Sequence, residues 1–124
     1  MAFLRKVLHS FIPASQGIVS GFRERNMKAH GIITTLMVLA GIVLGLSLLE
    51  WLIIFLLIAF VLSAELFNTG IEELANLMRD ELKLSYEATR RARDVAAGAV
   101  LVRAVAAAII GTVIFLPRIL ALFV

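Results

Sequence analysis

Three stretches of the chain are each long and apolar enough to cross a bilayer, and one residue separates the first two. Residues 31–49, 51–69 and 95–116 carry almost no charge. A helix needs about 20 such residues at ~1.5 Å each to span ~30 Å of hydrocarbon. With only Glu50 between them, the first two stretches are expected to form a tight helical hairpin, with Trp51 as an aromatic anchor at the far interface. At 61% hydrophobic residues and a mean hydropathy of +1.00 over 124 residues, the chain lies well outside the soluble range. The expected fold class is all-α integral membrane, one domain over 1–124 with three transmembrane helices.

The hairpin returns its other two ends to one side of the membrane. Arg5, Lys6, Arg23, Arg25 and Lys28 precede it there, and Arg79, Lys83, Arg90, Arg91 and Arg93 follow it, against Arg118 alone on the far side. Lys and Arg accumulate on the cytoplasmic side, which sets the orientation. A pI near 10.0 therefore reflects residues that flank spans, and nucleic-acid binding is not expected. The lack of cysteine excludes disulfides and thiolate metal sites. No cleavable signal peptide is expected, because MAFLRKVLHSF has too short an apolar core.

Residues 1–30 form the amphipathic surface region. Phe3, Leu4, Val7, Leu8 and Phe11 fall on one helical face, with Arg5, Lys6, His9 and Ser10 opposite, the pattern of a helix in the headgroup plane. Pro13 is expected to kink or end that helix, and a second short helix to carry Ile18, Val19 and Phe22. The connection 72–94 has no Gly or Pro and holds Leu74, Leu77, Met78, Leu82 and Leu84 at near-helical spacing. It reads as a cytoplasmic helical extension and turn lying along the membrane. Gly41 and Gly45 make a GxxxG, and Ala104, Ala107, Ala108 and Gly111 give the third span a small-residue face. Ordinary bundle packing accounts for both.

The segment AELFNTGIEEL, 64–74, ends the second span with three carboxylates and an amide. Ionised side chains near mid-span cost roughly 2.5–3.5 kcal/mol, so an acid retained in a span is a functional candidate. Glu65 lies about one turn inside the end of the span. At ~100° per residue Glu72 is about 20° from it around the helix, Asn76 about 20° to the other side and Asn68 some 60° away, so these share a face. Glu73 points elsewhere. Glu65 and Glu72 are ~10.5 Å apart along a regular axis, too far to ligate one metal together. A desolvated carboxylate suits a general base and one at the aqueous edge suits a hard cation, so Glu65 is the candidate base and Glu72 a candidate Mg2+ ligand. A buried structural acid paired with an arginine or an amide is the other reading of Glu65.

RRARD, 90–94, opens the third span. Arginines at a helix N-terminus suit an anion, and headgroup anchoring is the alternative for Arg90 and Arg91. Arg93 and Asp94 lie nearest the membrane, where Asp94 could equally be a cap. Arg103, ~13 Å further along, either snorkels to the cytoplasmic face or pairs with Glu65 of the same or a neighbouring subunit. Neither GxxxxGK[ST] nor GxGxxG is present, so a nucleotide would bind without a P-loop or Rossmann turn.

AELFNTGIE (64–72), ERNMKAH (24–30) and ARDVAAGAVL (92–101) together resemble the signature segments of the small prokaryotic lipid kinases, the diacylglycerol kinase and undecaprenol kinase family. The resemblance covers nearly the whole chain. It implies a homotrimer in the bacterial inner (plasma) membrane, with composite active sites facing the cytoplasm that move the γ-phosphoryl of MgATP to a lipid hydroxyl. By motif, Glu65 corresponds to the catalytic base, Glu24 and Glu72 to the metal ligands, Asn68 to an active-site amide and Asp94 to the nucleotide-site acid. Asn76 and Arg93 stand where the family usually has Asp and Lys, and the 72–94 connection is about three residues longer; all four of Asn68, Asn76, Arg93 and Asp94 are expected at the nucleotide. Those departures also admit a catalytically impaired, non-enzymatic trimeric membrane protein. ERN and His30 look more like the undecaprenol branch than the diacylglycerol branch, whereas apolar spans carry no code for the acceptor chain.

Overall fold

The computed structural model describes the backbone of residues 2–124 and the side chains of residues 7–124. Phe3, Leu4, Arg5 and Lys6, assigned above to the faces of the N-terminal helix, lie outside the described side chains. The described residues form four helices: α1 (Ala2–Gly21), α2 (Arg25–Val43), α3 (Leu48–Leu82) and α4 (Tyr86–Leu120). No strand occurs among the described residues. α2, α3 and α4 are the three long and apolar enough to cross a membrane.

The hairpin between α2 and α3 turns at residues 44–47, earlier than the expected break at Glu50. Helix α2 ends in a Schellman motif: Leu46 N–H donates to the Gly41 carbonyl at 3.1 Å and Gly45 N–H to that of Ile42 at 3.3 Å. Gly45 takes the left-handed conformation this needs, with φ +63°. Ser47 then caps α3 in a capping box, its backbone N–H donating to Glu50 Oε2 at 2.7 Å and its Oγ accepting from Glu50 N–H at 3.4 Å. Glu50 thus belongs to the first turn of α3, which is why a charge there does not interrupt the helix. Gly41 is buried because the Trp51 ring packs on it; a Cβ would stand 2.8 Å from Trp51 Cη2 and 2.9 Å from Leu46 Cδ1. The GxxxG therefore serves a helix end and a ring contact inside this chain.

Helices α3 and α4 are 35 residues each, about 52 Å long, well beyond a hydrocarbon layer. The spans 51–69 and 95–116 are the inner parts of these longer rods. The 72–94 connection is a helical extension and a turn: α3 runs unbroken to Leu82, and only 83–85 interrupt the helix. With no Gly or Pro there, Lys83 supplies the left-handed turn at φ 55°, its Nζ donating to the Asp80 carbonyl at 2.7 Å. Ser85 caps α4 by accepting from Ala88 N–H at 3.3 Å.

Side chains tie the two rods at both ends. Arg118 donates to Glu50 Oε1 at 3.2 Å and to Glu50 Oε2 at 2.5 Å, and its Nη1 donates to the carbonyls of Leu44 and Gly45 at 3.1 and 2.9 Å. At the other end Arg93 Nη2 donates to Asn76 Oδ1 at 3.0 Å. Between the ties each helix rises by about 38 Å, so both fit one straight antiparallel register. The stripe that α3 buries repeats every seven residues through Ile54, Val61, Asn68 and Ala75, with Ala64 and Glu65 beside it.

Most other apolar side chains of the spans are exposed, among them Leu36, Val43, Leu52, Phe67, Val102 and Val113. Contiguous apolar surface of this extent requires lipid or another copy of the chain. The small-residue face of α4 borders a groove of about 510 Å³ against α2 and α3, and of that face only Gly111 is buried. Helix α1 is continuous through Pro13, so the helix does not end there and no separate second helix follows. Proline removes one hydrogen bond, and α1 is exposed at every described position up to Ser20, so the freed carbonyl is not trapped in a core. At its end Gly21 is covered by Leu66, into which a Cβ would collide, and Met27 beside it is fully buried. The α1–α2 corner therefore sits on α3 at the level of Glu65.

Because one guanidinium joins α4, the α2 C-terminus and the α3 capping box, Arg118→Met is expected to lower the unfolding midpoint in detergent by about 3–6 °C. Circular dichroism melts check this, with Arg118→Lys falling between the two.

Candidate active site

The buried stripe of α3 changes character where the apolar run ends. Val61 is followed one turn later by Glu65, 3% exposed, and then by Asn68, 4% exposed. A helix that presents one face to its neighbours buries whatever stands on that face, and here it carries a carboxylate and an amide inward. Among the described residues the Glu65 side chain has no ion pair or hydrogen-bond partner. The pairing with Arg103 is not formed within the chain. Arg103 is exposed and borders a groove of about 740 Å³ between α3 and α4, with Asn68, Phe67 and Ala99.

Asn68 and Glu72 are joined. Asn68 Nδ2 donates to Glu72 Oε1 at 3.0 Å, and among the described residues the buried Asn68 Oδ1 has no donor. A buried acceptor of this kind costs free energy unless a donor or a cation completes it. Glu72 is half-buried, one turn nearer the helix end. The two acids thus occupy different environments, as the spacing predicts.

Asn76 and Arg93 meet across the α3–α4 pair through the 3.0 Å bond. Arg93 Nε also donates to Thr89 Oγ1 at 3.4 Å, and its guanidinium carbon lies 5.0 Å from the centre of the Tyr86 ring. Asp94 does not join this group. It is exposed and faces Arg90 at 3.5 Å, and Arg90 also pairs with Glu87 at 3.2 Å. Tyr86 and Thr89 were not anticipated from sequence, although both fall within about 40° of Arg93 on the helix.

Glu24 is the N-cap residue of α2, exposed, and its side chain makes no capping bond. It belongs to the corner that Gly21 and Met27 seat on α3 beside Leu66. Among the described residues no three His, Asp or Glu side chains come together to hold a metal. The Asn68 carbonyl oxygen and the Glu72 carboxylate, one turn apart on α3, are nevertheless both hard oxygen donors, and among the described residues the former has no partner. Mg2+ is commonly held by one or two carboxylates plus substrate phosphates, so this donor set fits it.

The sequence model of prokaryotic diacylglycerol kinase matches residues 13–115. An undecaprenol kinase of Bacillus subtilis is 41% identical over 116 residues, covering 93% of this chain and 92% of that protein. A diacylglycerol kinase of Synechocystis is 34% identical over 120 residues, covering 95% of this chain and 67% of that protein. No solved structure matches. With the family's sequence model matching residues 13–115 and both relatives aligned over more than nine-tenths of its length, the chain belongs to the prokaryotic diacylglycerol kinase family of membrane lipid kinases.

Proposed function

We propose that the protein phosphorylates a membrane lipid alcohol with ATP at the cytoplasmic interface of the bacterial inner membrane. The observation that carries this reading is the carboxylate of Glu65, 3% exposed and without a partner among the described residues, one turn below an amide with an open acceptor. Glu65 takes the proton of the lipid hydroxyl as that oxygen bonds to the γ-phosphorus, and the bond from the γ-phosphorus to the bridging oxygen breaks to release ADP. Glu24 and Glu72 would hold Mg2+, which when bound supplies charge neutralisation on the phosphates. Arg93 faces the charge developing on the transferred group, with Asn68, Asn76 and Asp94 at the nucleotide.

The level of Glu65 suits this division of labour. An acceptor hydroxyl can reach it from the lipid while a nucleotide stays in water, because the helix continues past the hydrocarbon for several turns. A homotrimer is the proposed assembly. The exposed apolar faces and the incomplete donor set at Glu72 both support a neighbouring subunit at the site, and α1 would lie along the membrane surface beside it. The meeting of Asn76 with Arg93 supports an active enzyme over an impaired one, since two of the three departures from the family pattern are partners.

Undecaprenol is the proposed acceptor, in line with the relative that is 41% identical. Membranes holding the protein, given labelled ATP and a choice of undecaprenol, diacylglycerol or ceramide, are expected to label undecaprenol most strongly; preferred labelling of another lipid refutes that choice. Glu65→Gln should lower turnover by about 10²–10⁴-fold while membrane insertion is unchanged. A Gln variant at full activity would remove Glu65 from the role of base.

A further inference from the structure

Arg93 is held by three groups, none of them negatively charged. Tyr86 covers it at 5.0 Å from the ring centre, Thr89 Oγ1 accepts from its Nε at 3.4 Å, and Asn76 Oδ1 accepts from its Nη2 at 3.0 Å. Thr89 is itself fixed, its hydroxyl donating to the Tyr86 carbonyl at 3.2 Å, so its lone pairs turn to the guanidinium. The helix begins at Tyr86 under the Ser85 cap, which places the ring two turns before Arg93 on nearly the same face.

The nearby acids are committed elsewhere. Glu87 and Asp94 both pair with Arg90, and among the described residues Arg93 makes no ion pair. A guanidinium has five N–H donors in a planar fork. With one on Thr89 and one on Asn76, about three remain for a ligand, and the full positive charge remains with them.

We propose that Tyr86, Thr89 and Asn76 are positioning residues that hold Arg93 as an uncompensated cation, aimed to receive phosphate oxygens of the nucleotide. This rests on the kinase reading above. The neutrality of Asn76 is part of the device. An amide oxygen orients the fork through one hydrogen bond, whereas a carboxylate at the same place would engage it bidentately and cancel its charge. Tyr86 contributes through its ring face, and its hydroxyl is not required.

The test is labelled-ATP binding, followed by KM and kcat for ATP, on the full-length protein in lipid-containing micelles with Mg2+. Tyr86→Leu is expected to weaken ATP binding about tenfold and to lower kcat/KM for ATP at least as much, and Tyr86→Phe to stay within about twofold of the parent. Asn76→Asp should also weaken ATP binding about tenfold, although it is nearly isosteric and its fold is preserved. Unchanged ATP affinity in Tyr86→Leu, a Phe variant as weak as Leu, or tighter binding by Asn76→Asp would each overturn the proposal. A parent protein that binds ATP but phosphorylates no lipid would refute the kinase reading, and the binding series would still decide the clamp. Absence of ATP binding in the parent would overturn both.

Discussion

Two ties at opposite ends of a long helix pair set the frame on which everything else is hung. Arg118 reaches Glu50 and the α2–α3 turn, and Arg93 reaches Asn76 across the α3–α4 break. Helices in an apolar medium gain little from the hydrophobic effect against one another, so close packing and polar contacts fix their registry. With the ends pinned, the level of each residue between them follows from a rise of ~1.5 Å per residue. Glu65 comes level with the stretch of α4 around Arg103 and Ala104, and the α1–α2 corner meets α3 beside it.

That registry gives the buried polar stripe its meaning. An ionisable group in this position is expensive, and burying Asn68 with one acceptor unsatisfied adds to the cost. A structural core would have found partners for both. Small sites that retain such groups do so for a substrate, a cation or a neighbouring chain, and the proposed chemistry uses all three. The proposal places proton removal inside the lipid boundary and phosphate recognition outside it, on one rigid helix.

Much of this was legible in sequence because the rules for spanning a membrane are stringent. Length and hydropathy located three spans, and the angular spacing of Glu65, Asn68 and Glu72 put them on one face, which the burial of Glu65 and Asn68 bears out. The hairpin turn was misplaced by reading Glu50 as a break. Its true signals were present in GLSLLE: Gly45 followed by the S-x-x-E of Ser47 and Glu50, a helix stop and a capping box in succession. Pro13 does not end α1, because the helix is exposed there and water can reach the carbonyl that proline leaves unbonded. The contact between Asn76 and Arg93 could not be read, since it depends on where α3 breaks, and the break is made by Lys83 in a conformation that lysine rarely adopts.

The central claim is that the carboxylate stripe of α3 crosses from oil to cytosol between Glu65 and Glu72. The chain has no native cysteine, so a spin label can be placed in turn at Phe60, Phe67 and Leu74, exposed positions seven residues apart on α3. In reconstituted membranes, labels at 60 and 67 should collide mainly with dissolved oxygen and the label at 74 with an aqueous nickel chelate. A membrane-impermeant thiol reagent should then reach position 74 only from the cytoplasmic side. Equal nickel access at 67 and 74, or labelling of position 74 from outside, would contradict the account.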